Sequence, residues 1–275
     1  AGTAVTTATE NTLIGGLAGD ALTTGSGNTA VGYSSLTTDT QGSKSTAIGR
    51  SALATQNHTT ATDAYNTAVG YQAGVSVTTG VQNTLIGALA GDALTDADSN
   101  VAVGYSALTT DTKGSRNVAI GQFALNTQNF STATNSYNVA VGYNAGVSVT
   151  TGEQCTLIGG LAGDALTTGS ALAIGYQAGS ALTTSVGNVL VGELAGAAVT
   201  TGAGNTALGS QALSTATTGG FNVAIGHDAL RYSTATGNTA VGYNALDANT
   251  SGNANTALGK DTSTTSTTAQ NNIAI

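Results

Sequence analysis

One nine-residue rhythm of polar, small and apolar positions recurs along the chain, Asn-Thr-Ala-Val-Gly-Tyr-x-Ala-Leu, as at Asn28 to Leu36 and Asn238 to Leu246. Its first position falls at 11, 28, 45, 66, 83, 100, 117, 138, 155, 171, 188, 205, 222, 238, 255 and 272. The steps are 17 residues, with two of 16 and two of 21. Asn holds the first position except at Ser45, Cys155 and Ala171. The fourth position is aliphatic from Ile14 to Ile275, and the fifth is Gly from Gly15 to Gly259. Short runs of Thr, Val, Ile and Tyr bounded by Asn and Gly have the character of β-strands. Gly in every repeat, with abundant Thr, argues against helix. A unit of this length is too short for a helical hairpin and suits one turn of a solenoid. The prediction is an all-β parallel β-solenoid, or β-roll, of about 17 residues per turn, running as one continuous array over residues 1–275.

Strand alternation assigns positions two, four, six and eight to one face and three, five, seven and nine to the other. Position three is Leu only at Leu13, Leu85, Leu157 and Leu190; there, position seven is also Leu and position nine is Gly. This exchange of volume predicts that positions three, seven and nine pack together. A second exchange sorts the turns into two types. One type has Leu at position nine, as at Leu36, Leu53 and Leu108. The other has Gly there and an aliphatic residue three places later, as at Leu22, Val77 and Leu94. Each turn thus supplies one bulky residue to a thin core. The Asn column (Asn28, Asn66, Asn100, Asn138, Asn188, Asn238) predicts a corner ladder, because Asn tolerates left-handed backbone and stacked amides hydrogen-bond between turns. The Gly column (Gly32, Gly70, Gly104, Gly142) predicts a bend or a close backbone approach. A longer period of 72 residues overlies the turns and points to block duplication.

Composition refines this picture. Sixteen turns at the ~4.8 Å strand spacing would make a rod of about 75 Å. The absence of Pro fits a chain whose backbone N–H groups are all wanted in a ladder. Charged residues are 7% of the chain and the formal net charge is −8, without basic patches, which disfavours nucleic acid and anionic surfaces as partners. No membrane insertion and no signal peptide are expected from the pattern. The single Cys155 stands in the Asn column, so no internal disulfide is possible. Both ends fall inside a repeat, which leads to the expectation of a window on a longer fibre.

The phrase, with its Thr-Thr-Gly spacers at Thr78 to Gly80 and Thr200 to Gly202, resembles two related groups. One is the head repeats of trimeric autotransporter adhesins. The other is the repeats of phage tail fibres and similar bacterial fibre proteins, which often end in a self-cleaving chaperone domain. The resemblance covers the whole chain and implies a parallel homotrimer of left-handed β-rolls. Without a coiled-coil stalk, neck or anchor pattern, the phage-type fibre is the nearer likeness. A trimer agrees with the energetics of a thin roll. Two buried aliphatic side chains give about 3–6 kcal/mol per turn, whereas ordering a residue costs roughly 1–2 kcal/mol in backbone entropy alone. The Ala and Gly columns are the expected places of interchain approach.

Candidate chemistry is sparse. His58 and His227 have no recurring carboxylate or nucleophile beside them, so no enzymatic role is expected and no catalytic residue is assigned. Asp20, Asp92 and Asp164, and likewise Asp39 and Asp111, recur at 72 residues and read as solvated turn residues. No metal or cofactor is expected. The frequent Thr pairs read as turn residues with hydrogen-bonding hydroxyls. Tyr33, Tyr71, Tyr105, Tyr143, Tyr176 and Tyr243 hold position six on an outer face, where they either stack on glycan rings or cover the strand surface. The two long turns carry four-residue insertions near Thr55 to Tyr65 and Thr127 to Tyr137. Insertions in a solenoid become loops. They make His58, Tyr65, Phe130 and Tyr137, with Tyr71 and Tyr143, the candidates for surface recognition. The expected function is an extracellular, cell-surface or virion-surface fibre shaft. It would assemble with itself and adhere weakly to a surface glycan or protein receptor. Two alternatives are a monomeric Thr-rich ice-binding solenoid and the shaft of a glycan-processing tailspike.

Overall fold

The computed structural model describes residues 1–263 and 267–275, and divides into two compact units, Ala1–Asn138 and Val139–Ile275. Each unit is a parallel β-solenoid with one short strand per turn, and no helix occurs among the described residues. In the first unit these strands are Thr12–Ile14, Thr29–Val31, Thr46–Ile48, Thr67–Val69, Thr84–Ile86, Val101–Val103 and Val118–Ile120. In the second they are Val139–Val141, Thr156–Ile158, Ser170–Ile174, Val186–Val191, Thr206–Leu208, Val223–Ile225, Thr239–Val241, Thr256–Leu258 and Ile273–Ala274. Within each unit every strand pairs in parallel with the next, position upon position: Thr12 on Thr29, Leu13 on Ala30, Ile14 on Val31. The register holds across the first 21-residue step, where Thr46 pairs with Thr67. The insertion therefore leaves the sheet, and in the first unit two-residue side ladders form instead, Gly42–Ser43 with Thr62–Asp63 and Gly114–Ser115 with Thr134–Asn135.

The strand covers only positions two to four, and Gly ends it. The position-five glycines have φ between 126° and 145°. A Cβ on Gly15 would lie 2.6 Å from the carbonyl oxygen of Gly32, one turn on. Both the left-handed backbone and the close approach exclude other residues. Position seven follows with φ near 55–60°, as at Leu17, Ser34 and Gln72, and position nine is again left-handed, as at Leu36 and Leu53.

These reversals overturn the simple alternation beyond position five. Position eight, assigned outward by parity, is the most regular core column: Ala18, Ala52, Ala73, Ala90 and Ala107 are fully buried. Position seven, assigned inward, is mostly half-buried: Leu17 is 43% exposed, whereas Ser106 is 5% exposed. The other half of the volume exchange is real. A Cβ on Gly19 would lie 2.6 Å from Leu13 Cδ2, and one on Gly91 would lie 2.7 Å from Leu85 Cδ2. A Leu at position three therefore occupies the space that a position-nine side chain fills elsewhere. The bulky residues of both turn types, such as Leu36, Leu53, Leu22 and Leu94, are fully buried.

Candidate functional site

Position one closes the coil and joins it to the next turn. Within one turn, Asn28 Nδ2 donates to the Gly42 carbonyl at 2.9 Å, and Asn100 Nδ2 to that of Gly114 at 2.9 Å. Between turns, the side-chain oxygen accepts the next turn's backbone N–H: Asn83 donates to Asn66 Oδ1 at 2.9 Å, and Asn205 to Asn188 Oδ1 at 2.9 Å. Asn138 donates its N–H to Asn117 Oδ1 at 3.0 Å, and Asn238 donates its own to Asn222 Oδ1 at 2.9 Å. The ladder is thus built from backbone donors more than from stacked amides. Its Asn residues are not left-handed. The left-handed corner falls one residue earlier, at Lys44, Tyr65, Gln82, Ser99 and Arg116. The Thr pairs make a second ladder: Thr23 Oγ1 donates to the Thr40 carbonyl at 2.9 Å, and Thr95 Oγ1 to that of Thr112 at 3.0 Å.

Asp39 and Asp111 are fully buried, which corrects their reading as solvated turn residues. Asp39 Oδ1 accepts the N–H groups of Gly42 and His58, both at 3.0 Å, and Oδ2 accepts from Gln56 Nε2 at 2.6 Å. Gln56 Oε1 in turn accepts from Asn66 Nδ2 at 2.8 Å. Asp111 repeats this with Gly114 at 3.0 Å, Phe130 at 3.1 Å and Gln128 at 2.5 Å, and Gln128 Oε1 accepts from Asn138 Nδ2 at 2.8 Å. Each carboxylate is therefore a hub that ties an inserted turn to the turn before it. These residues hold position twelve, where other turns place Leu22 or Val77. The signal available in sequence was Asp-Thr-x-Gly, at Asp39 to Gly42 and Asp111 to Gly114, one turn ahead of each insertion.

The hubs also correct two surface candidates. His58 and Phe130 are only 4% and 6% exposed. Their backbone N–H groups are held by the buried carboxylates, which draws the loop inward and turns both side chains away from solvent. Tyr65 and Tyr137 are exposed, but each is engaged by a cation. Lys44 Nζ lies 5.2 Å from the Tyr65 ring centroid and donates to Asp63 at 2.7 Å. That hydrogen bond raises the Lys44 pKa and lowers that of Asp63. Arg116 donates to the Tyr137 hydroxyl at 3.0 Å. The position-six tyrosines, Tyr71 and Tyr143 among them, are 45–55% exposed and form the aromatic column expected on the outside.

The outward face of the strands carries positions two and four. No turn places a charged residue at either position. Position four is a column of partly exposed aliphatic side chains in both units, from Ile14 at 58% through Ile48, Ile86 and Ile120 to Leu208 and Leu258. Position two is Thr in five successive turns, Thr12, Thr29, Thr46, Thr67 and Thr84, before Val101 and Val118. This in-strand Thr column was hidden by the more conspicuous Thr pairs.

Other candidates are sparse. His227 Nδ1 lies 3.0 Å from Asp228 Oδ2, a carboxylate adjacent in sequence that does not recur beside His58. The imidazole stacks on Tyr243 at 5.5 Å, and Arg231 lies 3.4 Å from the same carboxylate. Burial raises the pKa of the Asp92 and Asp164 carboxyls, with the Thr109 hydroxyl partly offsetting it at Asp92. Among the described residues no group of three His, Cys, Asp or Glu side chains is placed to hold a metal ion. No helix among them is long and apolar enough to cross a membrane.

The ladder is interrupted in the second unit. Cys155 Sγ reaches the Gly169 carbonyl at 3.4 Å, in the place of an Asn amide, and burial pushes its thiol pKa up to about 11. Ala171 offers no amide at all, and here the backbone pairing extends. Strands Ser170–Ile174 and Val186–Val191 have five and six residues instead of three, with an irregular register between Ser170 and Ala171. A shallow groove of about 300 Å³ lies beside this break, lined by Thr151, Glu153, Gln154, Thr168, Gly169, Ser170 and Val186. Comparison with protein-family models, curated proteins and solved structures found no match.

Proposed function

We propose that the chain is a segment of a structural fibre shaft, displayed outside the cell or on a virion, whose copies pack side by side as a parallel homotrimer. The observation that carries this reading is the uncharged face of positions two and four, with its partly exposed aliphatic column repeated turn after turn in both units. Exposed apolar surface of this regularity marks an interaction site. A partner that meets a column at one-turn spacing must itself repeat at that spacing, which a second copy does. The contact belongs to these columns and not to the Ala and Gly columns. Ala30, Ala47 and Ala68 are fully buried within their own chain. The position-five glycines approach the next turn of the same backbone. The work of such a shaft is mechanical: it holds whatever it carries away from a surface, with weak multivalent adhesion along its sides.

Light scattering tests the assembly. The expected mass is three times the 26.5 kDa chain. A monomer at micromolar concentration overturns the reading. A second reading, ice binding by a single solenoid, is favoured by the Thr column from Thr12 to Thr84. Valine at 101 and 118, and the mixed column of the second unit, favour the shaft. Faceting of ice crystals by the monomer, lost on Thr46→Tyr and Thr67→Tyr substitution, would decide for the alternative.

A further inference from the structure

We propose that Asn57 and Asn129, one in each inserted loop, are sites of N-linked glycosylation. Each opens an Asn-x-Thr/Ser triplet, Asn57-His58-Thr59 and Asn129-Phe130-Ser131. This triplet is the acceptor pattern of asparagine glycosylation, which needs an accessible amide and a hydroxyl two residues on. Both members break the columns in which they stand. The thirteenth position is Thr in every other turn from Thr23 to Thr267, and the fifteenth is mostly Gly, as at Gly25 and Gly80. The two loops are block copies that have diverged: Phe130 stands for His58, Asn135 for Asp63 and Ser136 for Ala64. Ser131 stands for Thr59, an exchange that keeps the hydroxyl.

The geometry presents both triplets to solvent. The carboxylate of each hub holds the N–H of the middle residue, at 3.0 Å for His58 and 3.1 Å for Phe130, and both middle side chains are buried. The residues on either side stay on the solvent side: Thr59, Asn129 and Ser131 are exposed and Asn57 is half-buried. Asn57 Oδ1 accepts from Thr40 Oγ1 at 3.4 Å, and Asn129 Oδ1 from Thr112 Oγ1 at 3.2 Å. Each Nδ2 is left without a hydrogen-bond partner among the described residues. A third triplet, Asn249-Thr250-Ser251, is closed by contrast. Asn249 is 1% exposed, its Nδ2 donates to the Gly252 carbonyl at 2.9 Å, and its Oδ1 accepts the Gly252 N–H at 2.8 Å. The reaction joins Nδ2 of Asn57 or Asn129 to the anomeric carbon of a nucleotide- or lipid-linked sugar diphosphate. The bond from that carbon to the phosphate oxygen breaks, the diphosphate leaves with the electron pair, and one amide proton passes to a base of the transferase.

Incubation of the folded, intact chain with a soluble N-glycosyltransferase that reads this triplet, and with UDP-glucose as donor, tests the inference by intact mass and peptide mapping. The expected result is two hexoses per chain, on Asn57 and Asn129, and none on Asn249. Asn57→Gln and Asn129→Gln should each remove one hexose. Thr59→Val and Ser131→Ala, which leave the Asn in place and remove only an exposed hydroxyl, should do the same. An unchanged melting midpoint shows that each variant keeps its fold. Fewer than two hexoses on the unsubstituted chain, a hexose on Asn249, or modification that survives both Gln substitutions overturns the inference. None of these outcomes touches the assembly reading, which light scattering measures on the unmodified chain.

Discussion

The two inserted turns of the first unit are built on the same hub and finished differently. In the first inserted turn the varied positions are Ser45, Gln56, His58 and Ala64; in the second the equivalent residues are Asn117, Gln128, Phe130 and Ser136. In the second copy Asn117 Oδ1 accepts from both the Asn138 N–H at 3.0 Å and Ser136 Oγ at 2.8 Å, and Phe130 packs against Gly114. In the first copy Ser45 has no amide oxygen for the Asn66 N–H, and its hydroxyl instead accepts from Gln56 Nε2 at 3.1 Å. The buried His58 Nε2 there has no hydrogen-bond partner. The carboxylate with its Gln is thus the invariant part of the device, and the side chains around it determine how fully each loop is satisfied. A buried charge holds several donors at once, so its neighbours can vary as long as its own valences are filled.

Removing the hub should have the largest effect. Asp111→Ala leaves the Gly114 and Phe130 N–H groups and the Gln128 amide without their acceptor, at an expected cost of about 3–5 kcal/mol. Asp39→Ala should cost a similar amount in urea unfolding, and a difference of more than twofold would break the equivalence of the two hubs. Asn117→Ser, which imposes the first copy's residue on the second, should cost about 2 kcal/mol, because two buried donors lose one acceptor. His58→Phe should stabilise the first inserted turn by about 1 kcal/mol by removing an unpaired buried nitrogen, while Phe130→His destabilises the second. If His58→Phe is destabilising in thermal melts, the imidazole has a partner that the geometry does not reveal.

The interrupted ladder supplies the smallest effect and a pH test. Burial raises the Cys155 thiol pKa to about 11 from an ordinary value of 9.0. The neutral thiol is the form favoured by the fold, so its contribution is complete below pH 9 and is lost as the pH rises through 11. The loss should be roughly 1 kcal/mol by pH 10 and absent in Cys155→Ser. Alkylation by iodoacetamide at pH 8 should require unfolding, and rapid labelling of the folded chain would show that the ladder position is open.

Much of this architecture was legible because a parallel solenoid writes each structural position into the chain many times. The 17-residue turn, the close approach at the Gly column, the Asn column and the exchange between positions three and nine all follow from columns that stack residue upon residue, whereas the shortness of the strand does not. The parity beyond position five was not legible. It depends on left-handed residues such as Ser34, Gln72 and Leu89, which carry no glycine to announce them. The fate of His58 and Phe130 was hidden for another reason: an insertion looks like a surface loop until the buried carboxylate that anchors it is known.

The sequence by itself determined the period, the class of fold and the columns that stack, since one turn's pattern is repeated with few exceptions. Only the tertiary structure decided which columns beyond position five face inward. It showed that Ala30 and its equivalents are intrachain core. It showed that Asp39 and Asp111 are interior hubs. Facing is set by backbone turns and by hydrogen bonds between residues some 14 to 21 positions apart, and neither is written in the identity of any single side chain.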